Sequence, residues 1–173
     1  MLLKESNLII RNATSEDAIL LCKWWNDGKV MAHAGFPNGL GITEQSIAES
    51  LQKDNDEIHR RLILVIDNVP VGEMNYRNIG NKTAQIGIKI CNSEKQEKGY
   101  GTRFLKLLIH HLLFNLEYEK IILDTNVKNE RAQHVYQKIG FKQVGTRIDS
   151  WRNQLGELQS SIDYELTAEE FID

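Results

Sequence analysis

Gln96-Glu97-Lys98-Gly99-Tyr100-Gly101-Thr102 stands between a strand-like run, Ala84 to Ile90, and a helical run, Thr102 to Leu116. Two glycines one residue apart at a helix start let the backbone turn sharply and approach a ligand closely. The N–H groups of that first turn have no partner within the helix, and the positive end of the helix dipole lies behind them. The stretch therefore predicts an anion site, best suited to a phosphate or pyrophosphate.

Two familiar phosphate motifs do not fit. A P-loop needs Gly-Lys-Ser/Thr at the helix start, and here Gly101 is followed by Thr102-Arg103. A dinucleotide fingerprint needs a third glycine where this chain has Phe104. What fits is Q-x-x-G-x-G between a strand and an amphipathic helix. This resembles the acetyl-CoA pyrophosphate loop of the GNAT N-acetyltransferases.

A second segment carries the same resemblance. Ile121 to Val127 reads as a buried parallel strand. After it, Asn129 is a plausible N-cap, a helix is expected to Ile139, and Gly140 is its stop signal. The run N-x-x-A-x-x-x-Y-x-x-x-G-F, from Asn129 to Phe141, is similar to the second CoA-contacting helix of that family.

The rest of the chain agrees with a soluble enzyme of one domain, residues 1–173. Its 173 residues suffice for a sizeable core. With a net charge of −3 and 26% charged residues, it advertises no surface for a polyanion, and no nucleic-acid partner is expected. Cys22 and Cys91 have no metal-ligand spacing and read as cytosolic thiols. Met1 to Ser6 shows no apolar core or cleavage pattern, and no apolar run reaches the length of a membrane span. A cytoplasmic protein without a membrane partner, monomeric or homodimeric, is the expectation.

Working outward, Leu8 to Arg11 is a short strand. Thr14 and Ser15 are candidate caps for a helix to Asn26 with Ala18, Leu21, Cys22 and Trp25 on one face. A loop, Ala34 to Gly41, precedes a helix capped by Thr43. Strands follow at Leu62 to Asp67, Val71 to Asn78 and Thr83 to Ile90, and late strands at Phe141 to Ile148 and Leu158 to Leu166. The resulting α/β order is that of the GNAT acyl-CoA N-acyltransferase fold. The resemblance implies a mixed central sheet, flanked by helices and splayed between the fourth and fifth of these strands, with a β-bulge helping to open the gap. The Trp24-Trp25-Asn26-Asp27 ending and the long late hairpin are similar to the ribosomal-protein alanine acetyltransferase subgroup.

The resemblance further implies where acetyl-CoA sits. Ile88, Lys89, Ile90 and Cys91 border the pantetheine arm and acetyl group, which pair with unpartnered strand amides. Gln96, Glu97, Lys98, Gly99, Tyr100, Gly101 and Thr102 hold the pyrophosphate through main-chain N–H groups, with Lys95, Lys98 and Arg103 as nearby cations. Asn129 bonds the arm and Ala132 allows its close approach. No metal is expected.

The chemistry implied is direct transfer of an acetyl group to an amine. The amine must lose a proton, the thioester oxygen needs a donor, for which the N–H of Ile90 or Cys91 is the candidate, and the leaving thiolate needs an acid. Tyr136, two helical turns after Asn129, matches the family's proton donor. Many members carry a glutamate where this chain resembles them with Gln85, and glutamine cannot take a proton. Glu73 is the best remaining carboxylate for the base, with Asp124 and His33 as alternatives. Trp24, Trp25 and Phe36 are candidates for the acceptor pocket. The acceptor is a protein N-terminus, a polyamine, an aminoglycoside or a small metabolite amine. The competing reading is a non-catalytic acyl-CoA-binding regulatory module, which the missing glutamate favours and the tyrosine opposes.

Overall fold

The computed structural model describes the whole chain, Met1–Asp173. Eight strands form one sheet: β1 Leu2–Glu5, β2 Leu8–Asn12, β3 His59–Ile66, β4 Val69–Asn78, β5 Thr83–Ile90, β6 Lys120–Asn126, β7 Lys142–Arg152 and β8 Leu158–Thr167. Their order is β1-β2-β3-β4-β5-β6-β8-β7, antiparallel throughout except for the β5–β6 pair. The strand at Leu2–Glu5 was not expected. It pairs with β2 through a turn at Ser6 and Asn7, so the splay falls between the fifth and sixth strands of the full count.

Five α-helices cover the sheet: α1 Ala18–Trp25, α2 Gly28–Met31, α3 Glu44–Leu51, α4 Tyr100–His110 and α5 Glu130–Ile139. β3 explains why both faces must be covered. Its residues Leu62 to Ile66 are all buried, and successive side chains point to opposite faces. Leu62, Leu64 and Ile66 join the large core with Phe104, Leu108 and Ile109 of α4 and Tyr136 and Ile139 of α5. Ile63 and Val65 join a smaller core with Leu21 and Trp24 of α1 and Ile47 and Leu51 of α3. On α1 it is Trp24 that is buried, whereas Cys22 and Trp25 are half-buried at the margin.

Other boundaries moved by a turn or less. α4 begins two residues before Thr102 and ends at His110, where His111–Asn115 continues as a π-helical turn. β7 runs on to Arg152, which lengthens the late hairpin. A β-bulge is present in β4, beside the strand that borders the gap. Leu64 faces Gly72 and Val65 faces Pro70, so Val71 is the extra residue in β4, opposite β3. The β4–β5 ladder runs without a register shift from Asn78–Ala84 to Gly72–Ile90.

Candidate active site

β5 and β6 pair only from Thr83–Lys120 to Gln85–Ile122, and beyond that they part. Ladder alternation decides what faces the opening. Cys91 N–H bonds the Val71 carbonyl at 2.8 Å, so the odd-numbered residues of β5 bond β4 and the even ones turn their amides toward β6. The N–H groups of Ile88 and Ile90 thus face the gap. On β6, Val127 N–H bonds Ser160, so the backbone of Asp124 and Asn126 faces it from the other side. One of these groups already has a partner: the Ile90 carbonyl accepts from Gln96 Nε2 at 2.8 Å.

This geometry corrects the reading of Cys91. Its N–H is engaged by Val71, and its thiol belongs to the opposite face, against the α1–α3 core. Burial, with the Glu73 charge next, pushes the thiol pKa far up, so it stays protonated. Of the two amides expected as oxyanion donor candidates, only that of Ile90 faces the gap.

The loop at the end of β5 presents a run of free donors. The backbone N–H groups of Glu97, Lys98, Gly99, Tyr100, Gly101 and Thr102 reach no protein acceptor, whereas Arg103 N–H is the first to bond back, to Gly99 at 3.2 Å. Glu97 and Gly99 both have left-handed φ, +59° and +78°, which tilts successive amides into a concave nest. Gly101 has ordinary helical φ, and a Cβ there would touch only Ile90 Cγ1 at 3.9 Å, so its bare Cα faces open space.

These elements wall a cavity of about 410 Å³, within the range of small-molecule sites. Ile88, Ile90, Gln96, Gly99, Gly101 and Thr102 line one side, and Asn129, Ala132, Val135 and Tyr136 of α5 line the other. Asn129 caps its own helix, with Oδ1 accepting from Ala132 N–H at 3.2 Å, which leaves Nδ2 free. Arg103 is drawn off to Glu5, and Arg131 is paired with Glu97. Lys95 lines the cavity with its ammonium over the Tyr100 ring. The unpaired amides, the open Cα and the narrow cleft fit the phosphates and the extended arm of an acyl-CoA.

Tyr136 is buried, with its ring against Phe141 and Tyr164 at centroid distances of 5.8 and 5.6 Å. Its hydroxyl makes no hydrogen bond in the protein and is not among the sealed, unpartnered polar atoms, so it opens to the cavity. Burial, then the negative charge of Asp124, pushes its pKa up to about 12. Glu73 lies half-buried behind the other end. Its Oε1 accepts from Trp25 Nε1 at 2.8 Å and Lys89 Nζ at 3.3 Å, while Oε2 accepts nothing and is not sealed. Gln85 sits where β5 and β6 still pair and faces a separate cleft with Asp124, which is bound to Arg147. Neither touches the main cavity. Trp24 is buried in the smaller core and Phe36 does not line the cavity, whereas His33 does.

The model of the acetyltransferase (GNAT) domain family matches residues 7–142. The chain belongs to this family. It is an acetyl-CoA-dependent N-acetyltransferase. It is 24% identical over 156 residues to the aminoglycoside N(6′)-acetyltransferase type 1 of Klebsiella pneumoniae, covering 81% of this chain and 76% of that one. Its fold is similar to spermidine N-acetyltransferase from Vibrio cholerae, solved with CoA and spermine, with a TM-score of 0.86 at 20% identity and 98% and 100% coverage. It is likewise similar to the ribosomal-protein-S5-alanine acetyltransferase from Vibrio fischeri, with a TM-score of 0.84 at 16% identity over the full length of both chains.

The α2 end of the acetyltransferase cavity was not foreseen. Lys29, Val30 and His33 line it, and Lys89 reaches across the sheet to Met31. The loop after His33 is pinned rather than loose. Pro37 lies so close to Gly28 that no side chain fits there, and Asn26 exchanges two hydrogen bonds with Ile42. Gln154, at the tip of the β7–β8 hairpin, completes the clamp. Its N–H bonds Gly35 at 2.7 Å, its Oε1 accepts from Asn38 N–H and its Nε2 donates to Gly39, both at 2.9 Å. Gln154→Ala should free the loop and so loosen α2. The expected result is a several-fold rise in acceptor KM at constant acetyl-CoA affinity, with a stability loss of about 1–2 kcal/mol for the two hydrogen bonds. Steady-state kinetics with each substrate varied, beside a denaturant titration, checks it.

Proposed function

We propose that acetyl transfer runs within the β5–β6 gap, with Tyr136 as the acid and the Ile90 N–H as the oxyanion donor. The observation that carries this reading is a free phenol opening onto the same cleft as the unpaired amides of Ile88 and Ile90. Extended along those amides, the pantetheine arm adds like a strand. The amides from Glu97 to Thr102 take the pyrophosphate, and Asn129 Nδ2 and Ala132 contact the arm. A donor fixed beside the thioester oxygen stabilises charge that develops only as the amine attacks. The phenol then protonates the departing sulfur. Transfer is direct, from thioester to amine, in a single domain of cytoplasmic location.

Glu73 is assigned as the proton sink for the acceptor ammonium, which loses a proton through intervening water to the free Oε2 before the neutral amine attacks. Glu73→Gln should lower the rate by about an order of magnitude below the pKa of the acceptor amine, and less above it, where the amine is already neutral. A pH profile identical to the parent's leaves Glu73 only the task of holding Trp25 and Lys89. The acceptor class comes from protein N-termini, polyamines, aminoglycosides and small metabolite amines; the relatives' names give a ribosomal protein, spermidine and aminoglycosides. A panel of these with acetyl-CoA, read by release of free CoA thiol, tests the reading; no release from any amine overturns it.

A further inference from the structure

The α2 end of the cavity, where the acceptor must enter if transfer runs as proposed above, carries a lysine without an ion pair. Two ammonium groups line it, Lys29 on α2 and Lys89 on β5. No carboxylate lines that end. The acidic lining residue, Glu97, lies on the phosphate loop and is paired with Arg131 at 3.2 Å. Two acids lie close behind α2 and do not line the cavity. Asp27 caps the helix, its Oδ1 accepting from Lys29 N–H at 2.8 Å, and Glu73 holds Lys89 and Trp25. Lys29 itself enters no ion pair and no side-chain hydrogen bond; Lys95, the other unpaired lysine of the lining, lies at the phosphate end over the Tyr100 ring.

We propose that the acceptor is an amine that also carries an acidic group, and that the Lys29 ammonium binds that group. The proposal rests on the acetyl-transfer reading above and narrows its acceptor. A polycation such as spermidine or an aminoglycoside would bring its second positive charge against Lys29, whose charge no ion pair in the protein offsets, and like charges repel. An acceptor whose anion meets Lys29 gains an ion pair and is held by one end while its amine reaches the acetyl carbon. Specificity then comes from repelling the wrong class as much as from binding the right one.

Three acceptors share a four-carbon chain with an amine at one end: 4-aminobutyrate, butylamine and putrescine. They place a carboxylate, a methyl group and an ammonium at the other. An acidic peptide with a free N-terminus and spermidine extend the comparison to larger acceptors. The parent should favour the acidic members over the cationic ones by about tenfold or more in kcat/KM, with butylamine between. Lys29→Glu should invert that order and leave the acetyl-CoA Kd within about twofold. Turnover with the cationic members preferred by the parent overturns this inference alone. So does a Lys29→Glu protein that keeps the parental order while binding acetyl-CoA more weakly, which would give Lys29 to the phosphates. Silence of the parent on every amine overturns the transfer reading and this one together.

Discussion

Tyr136→Phe is expected to lose roughly 10²-fold or more in single-turnover acetyl transfer while folding and binding acetyl-CoA as the parent does. The substitution removes one atom that no other part of the protein uses. The ring keeps its contacts with Phe141 and Tyr164, and the hydroxyl has no hydrogen bond to lose, so stability should change by less than about 1 kcal/mol. The pKa pushed up to about 12 keeps the phenol protonated at neutral pH. A departing thiolate, with a thiol pKa of roughly 8.5, is therefore offered a proton throughout the working range. Single-turnover rates are the proper observable, because product release would mask the effect in kcat. A folded, cofactor-binding Tyr136→Phe protein with the parental rate would remove the phenol from the mechanism.

The parts of this site that the sequence made legible are those whose signals are local. Asn129 and Gly140 bracket α5 as its cap and its left-handed stop, with φ of +112° at Gly140, and three to four residues of spacing put Asn129, Ala132 and Tyr136 on one face. The glycine loop likewise carries its own turn chemistry. What depends on register is not legible in this way. The side of the sheet to which Cys91 turns follows from its pairing with Val71, and the bulge at Val71 leaves no periodic trace. α2 has only four residues, too few for a periodic pattern, so Lys29 looked like any surface lysine. Gln154 acts on Gly35, Asn38 and Gly39 across more than a hundred residues of chain, a contact that only the folded hairpin creates.

The same distinction sharpens the test of the cofactor site. Positive φ in the loop belongs to Gly99, not to Gly101, so the two glycines serve different ends. At Gly99 a side chain would strain the helix start itself. At Gly101 the backbone is helical and a Cβ meets only Ile90 at 3.9 Å, so the fold has room for a Cβ there. The empty space in front of that Cα matters only to a ligand. Gly101→Val should therefore be about as stable as the parent, since glycine in a helix costs roughly 0.5–1 kcal/mol relative to alanine and valine recovers part of it. It should nevertheless lose acetyl-CoA, because the branched side chain stands where phosphate oxygens must approach the amides of Gly101 and Thr102. In the parent, acetyl-CoA at 100 times its Kd adds about 2.7 kcal/mol to stability and raises Tm by several degrees. In Gly101→Val that shift should vanish, and Gly101→Ala should fall between the two. Thermal denaturation with and without acetyl-CoA reads both quantities at once. A Gly101→Val protein whose Tm still rises with acetyl-CoA as the parent's does would place the phosphates elsewhere and take the nest from Glu97 to Thr102 out of the site.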